Sequence, residues 1–168
     1  MALSAATLRT EVLRRTDKTR SDWRGWPTTA AAAVTSWAEA AAAYFAELTS
    51  PVLLPPADGA LALARVAFEA AAGLEVDDRG RLTRDALPVG FQAFAAAVLP
   101  APAYVVTPPL PAGGLSAQGA PLAWAWPDGW NVPTGDPAIF ADVLSGLVDF
   151  WARTGTASIP PATPLPWS

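Results

Sequence analysis

Apolar residues recur at helical spacing in five stretches of this chain. Leu8, Val12 and Leu13 share a face behind Ser4 as an N-cap, which predicts a short helix from Ser4 to about Arg15. Pro27 precedes the strongest pattern, Thr28 to about Thr49, where Val34, Trp37, Ala41, Tyr44, Phe45 and Leu48 line one side and alanine fills most of the rest. Alanine favours the helix and lets a neighbouring backbone approach closely, so packing on more than one side is expected. Pro51, Pro55 and Pro56 end it. A third helix is predicted from Asp58 to about Ala72, with Leu61, Ala64, Phe68 and Ala71 on one face, Leu63, Val66 and Ala70 on another, and Gly73 as its stop. Asp85 caps a fourth, which tolerates Pro88 in its first turn, carries the stripe Leu87, Phe91, Phe94, Ala95 and Val98, and closes at Pro100. Asp136-Pro137 opens a fifth, with Phe140, Val143, Leu144, Leu147 and Trp151 as its stripe and Gly155 as its stop.

Strand signals are few. Leu74 and Val76, the turn Asp77-Asp78-Arg79-Gly80 and then Leu82 suggest a small β-hairpin. From Pro100 to Pro137 there are nine prolines in 38 residues, with Gly113-Gly114 and the aromatic group Trp124, Trp126 and Trp130. Such a segment cannot build a core of its own and is expected to lie extended over the helices or across a neighbour. Thr156 to Ser168, with Pro160, Pro161, Pro164, Pro166 and Trp167, reads as an extended tail. The predicted fold is mainly α: four to five helices in a small bundle, long proline-rich extended segments and at most a short β-hairpin. Residues 1–27 form a basic N-terminal helix and arm, 28–155 a helical domain that includes the proline-rich excursion 100–137, and 156–168 a C-terminal tail.

A length of 168 residues suits one domain, and 52% hydrophobic against 15% charged residues excludes a solvated disordered chain. Charge is unevenly placed. Residues 9–24 hold Arg9, Arg14, Arg15, Lys18, Arg20 and Arg24 against Glu11, Asp17 and Asp22, and the remainder is acidic, for a formal net charge of −4. That polarity suits a basic arm docked on an acidic surface such as that of a sister subunit. The indoles of Trp23 and Trp26 beside those cations could stack on bases, but three interleaved acids and an acidic body disfavour nucleic acid and favour an intersubunit or intrachain arm. Between Asp85 and Asp128 lie 42 residues without a charged side chain, yet prolines divide them too finely for a membrane span, so burial against protein is expected. The first residues lack the basic and apolar regions of an export signal, which predicts a chain kept in the cytosol.

With no His and no Cys, imidazole bases, thiol nucleophiles, disulfides and the usual zinc or iron–sulfur sites are excluded. Glu75-Val76-Asp77-Asp78 could gather carboxylates around a hard cation, but its spacing departs from calcium loops and Arg79 and Arg81 offer local partners, so a solvated turn is expected. Ser36, Ser116 and Ser158 lack an activating histidine, and Gly113-Gly114 lacks the context of a phosphate loop. No catalytic residue, metal, cofactor or small-molecule substrate is assigned. The tryptophans are expected as core or interface anchors.

The Ala-rich helix Ala30 to Tyr44 with Trp37-Ala38, the segment Gly90-Phe91-Gln92-Ala93-Phe94-Ala95 with Thr107-Pro108-Pro109, and the ending Thr154-Gly155-Thr156-Ala157 to Trp167-Ser168 together resemble small structural proteins of tailed-bacteriophage virions. The resemblance implies a non-catalytic neck, tail or baseplate subunit, assembled in the host cytoplasm from copies of itself and other virion proteins. The candidate interface residues are Arg14, Arg15, Lys18, Arg20, Trp23, Trp26, Trp124, Trp126, Trp130 and Trp167. A cytosolic helical adaptor for a protein partner and a nucleic-acid accessory protein using the basic arm are the alternatives.

Overall fold

Each of the five expected helices is present in the computed structural model, which describes residues 3–48, 58–74, 86–98, 105–107, 136–158, 163 and 165–168. They are α1 (Ala5–Thr16), α2 (Ala30–Phe45), α3 (Asp58–Gly73), α4 (Ala86–Ala97) and α5 (Pro137–Ala152). The fold is mainly α. The hairpin expected over 74–83, the Asp85 cap and the segment carrying Trp124, Trp126 and Trp130 lie outside the described residues.

Helix starts follow local chemistry. The Thr29 hydroxyl accepts the Ala32 N–H, so α2 begins two residues after Thr28, and the Asp136 carboxylate accepts the Ala138 N–H beside Pro137 at the first turn of α5. Ser4 occupies the N-cap of α1 without a side-chain cap; its carbonyl accepts from Thr7 and Leu8 instead. α2 is central, packing on α1, α3 and α4, as its alanine-covered surface predicts, while α3 pairs with α4 and α1 carries α5.

The core is aromatic. Phe45 stacks on Phe94 with ring centroids 5.2 Å apart, and Phe68 meets Phe91 edge-on at 5.6 Å. Tyr44 is fully buried and donates to the Asp149 carboxylate at 2.9 Å; Arg153 binds the same carboxylate and the Leu3 carbonyl, tying α2, α5 and the start of the chain together. Burial, with the Asp149 charge beside it, holds the Tyr44 phenol well above its ordinary value. Trp151 is fully buried, as its place in the α5 stripe predicts.

Gly90 is the contact point of α3 and α4. A Cβ there would stand 2.7 Å from the buried Phe68 ring. Gly90→Ala is therefore expected to destabilise the fold by about 1 to 3 kcal/mol through overpacking, read in a urea melt.

A three-stranded antiparallel sheet extends the predicted fold. β1 (Val105–Thr107) pairs with β2 (Thr156–Ser158), which pairs with β3 (Leu165–Pro166), in the order β1-β2-β3. Residues 156–158 and 165–168, expected to belong to a separate tail, thus join the domain. The correction is largest at Trp167, which was expected to find no local core: its ring is fully buried and meets Phe45 edge-on at 6.4 Å, and its backbone N–H donates to the Gly155 carbonyl at 2.9 Å. Gly155 serves this contact more than it stops α5. Its φ is not positive, and a Cβ there would stand 2.6 Å from the indole.

Candidate functional site

The basic segment folds back on its own helix. Asp17 ends α1 and accepts the N–H and hydroxyl of Thr19, Arg20 and Trp23 continue the turn, and the Arg24 N–H donates to the Arg14 carbonyl at 2.9 Å. Gly25, at φ +81°, then turns the chain toward α2 in a conformation open mainly to glycine.

This brings five guanidinium groups, of Arg14, Arg15, Arg20, Arg24 and Arg65, onto three carboxylates, those of Glu11, Asp22 and Glu39. Glu11 and Arg15 stand one turn apart on α1 and are both buried. Arg15 donates to the Glu11 carboxylate at 2.6 Å and to the Ser36 carbonyl at 2.8 Å, crossing from α1 to α2. Arg14 binds Glu11 and Asp22, Arg20 binds Asp22, and Arg24 and Arg65 approach Glu39. Burial pushes the Glu11 carboxyl up, but the hydrogen bonds and charge of Arg15 and the bond from Arg14 outweigh it and hold it below its usual range. Arg20, then Arg14, hold Asp22 lower still.

Of the two readings of the arm, intersubunit or intrachain, these contacts are intrachain, which corrects the placing of Arg14, Arg15 and Arg20 at an interface. Arg15 is a core ion pair, and Arg14 and Arg20 are joined to neighbours within their own segment. The physical reason is the interleaved acids: at these separations an internal carboxylate competes effectively with any external one. Of the four cations in the candidate set, Lys18 alone is exposed without an ion pair among the described residues. The network still holds more guanidinium than carboxylate, so its outer rim remains basic.

Trp23 and Trp26 lie together, edge to face at 5.9 Å. Trp23 is half-buried with its ring N–H enclosed and without an acceptor, whereas Trp26 is 55% exposed. Among the described residues, Trp26 and Lys18 are thus the two expected interface residues with open side chains. Trp167 belongs to the core.

Sequence reasoning missed other open surface. α3 buries Ala64, Phe68 and Ala72 but exposes Leu63, Val66 and Ala70, with Leu74 exposed just past its end; α5 buries Phe140, Leu144, Val148 and Trp151 but exposes Ile139, Gly146 and Phe150, with Val143 half-buried and Asp142, paired with Arg9, exposed among them. Spacings of three and four place each exposed set on one helix face. The signal was present for α3, where Leu63, Val66 and Ala70 form a second stripe. For α5 it was hidden, because one broad apolar pattern does not say which side has a neighbour. A groove of about 300 Å³ runs between the start of α2 and the end of α3, lined by Ala30, Ala31, Val34, Thr35, Glu69 and Gly73. Among the described residues, no three acidic side chains gather to hold a metal ion, and no helix is long and apolar enough to cross a membrane. Asp77 and Asp78 lie outside those residues.

Comparison with protein-family models, with curated proteins and with solved structures returns no match to this chain.

Proposed function

We propose that this chain is a non-catalytic assembly subunit that docks on copies of itself and on other proteins through two open helix faces and a basic, tryptophan-bearing rim. The observation that carries the reading is the two-sidedness of α3 and α5. A helix that is apolar on opposite faces expects cover on both, yet Leu63 is 67% and Phe150 71% exposed. The rim around Lys18, Arg24 and Trp26 complements the acidic remainder of the chain, which favours contact between copies. Guanidinium groups already held by carboxylates offer less to phosphates, which supports protein over nucleic acid as the partner. The resemblance to virion proteins of tailed phages assigns the assembly to such a particle, in its neck, tail or baseplate.

Light scattering on the purified chain tests the reading. The expected result is a discrete oligomer, or binding to particle fractions, that Val66→Glu and Phe150→Glu abolish while the melting temperature stays nearly unchanged, since both sites are on the surface. A monomer at every concentration that captures one soluble partner would replace this reading by that of an adaptor. Tight DNA binding at physiological salt would favour the nucleic-acid accessory protein.

A further inference from the structure

Two open features stand close together at the N-terminal end of α2. Trp26 follows the Gly25 turn with 55% of its surface exposed, braced by its edge-to-face contact with Trp23, and every residue from there to Ala32 is exposed as well. Four positions after Trp26, at Ala30, the groove between α2 and α3 begins. A chain of that length spans at most about 14 Å. The groove's volume of about 300 Å³ suits a compact aromatic group, and Ala30, Ala31, Val34 and Gly73 give it a largely apolar wall. Thr35 and Glu69 supply its polar groups, and the Glu69 carboxylate has no ion pair or hydrogen bond among the described residues. On the rim the opposite is unpaired: the Trp26 indole N–H has no acceptor and Lys18 no carboxylate among those residues. Trp26 does not line the groove of its own molecule.

We infer that Trp26 of one copy seats in the α2–α3 groove of a second, whose own Trp26 returns the contact. A two-fold pair needs a self-complementary patch, and a projecting indole within four residues of a groove supplies one, since a single rotation satisfies both contacts. In each contact the ring covers the alanines and its N–H meets Glu69, while Lys18 and Arg24 bring positive charge toward a carboxylate that lacks a partner. The occupant is a second copy because both halves of the match, the open donor and the open carboxylate, stand on this one chain. A tryptophan buries about 150 to 250 Å². Two of them, with the surface they cover, approach the roughly 1,000 Å² of a small specific interface, so the pairing is of micromolar strength. The inference rests on the reading of the chain as an assembly subunit and names one of the contacts that join its copies.

Sedimentation velocity on the full chain over the micromolar range tests the pairing. Trp26→Ala, which removes the indole, Ala31→Trp, which fills the groove, and Glu69→Lys, which reverses its charge, are each expected to weaken self-association at least about 30-fold with the melting temperature nearly unchanged, because all three sites lie at the surface. Trp26→Phe is expected to keep most of it. An oligomer that is indifferent to Trp26→Ala and Glu69→Lys but is lost with Phe150→Glu overturns the pairing and leaves the assembly reading standing. A wild type that is monomeric at every concentration overturns the pairing too, and takes the assembly reading with it where particle fractions are also not bound.

Discussion

Trp167→Ala is expected to destabilise the chain by about 3 to 5 kcal/mol, a fall in melting temperature of roughly 10 °C or more. The indole has no polar partner to lose, so the effect measures packing: the ring covers Gly155, meets Phe45 and lies in the same cluster as Phe94 and Trp151. Removing residues 159–168 has the same sign. Differential scanning calorimetry checks both, and an unchanged transition would show that residues 159–168 contribute nothing to the isolated fold.

Glu11→Gln is expected to cost about 3 kcal/mol, because it removes the buried, hydrogen-bonded counter-charge of the Arg15 guanidinium and leaves only the half-exposed Glu39 at 3.7 Å. The double variant Glu11→Leu/Arg15→Met should recover most of that loss, since apolar side chains of similar volume tolerate the site that a lone cation does not. Urea melts of the two variants and the wild type decide it. The pH dependence follows from the same pair. Glu11, Asp17 and Asp22 all have carboxyls held below their ordinary values in the fold, so their stabilisation is complete above about pH 4.5 and is lost as pH falls through the lowered folded values. Wild-type stability should therefore decline below about pH 4.5, and Glu11→Gln should flatten part of that decline.

The helices were legible because each carries its own signal. Thr29 and Asp136 cap, prolines punctuate, and stripes such as Phe91, Phe94, Ala95 and Val98 name the buried face directly. The Glu11–Arg15 pair was also legible, as opposite charges one turn apart, but its acceptor at Ser36 on α2 is a tertiary partner with no local trace. The sheet was harder. Val105, Val106 and Thr107 are β-branched between prolines, a usable sign, whereas Thr156-Ala157-Ser158 has almost none and gains its strand character from pairing. Trp167 was misplaced for a related reason: composition makes its segment look unable to enter a core, and the glycine that admits the ring lies twelve positions earlier, where it reads as a helix terminator.

The order of helix contacts divides the fold into a near part and a far part. α2, α3 and α4 follow one another with twelve residues between successive helices, so their contacts close the shorter loops of the chain. α1 joins α5, where Arg9 holds Asp142 across 133 positions, and the sheet joins residues about fifty apart. Closing those longer loops costs more entropy before the contacts repay it, which places the central three helices early on the folding route and the docking of α5, the sheet and the indole late. Slow steps in refolding therefore belong to the half of the molecule that carries the Trp167 socket.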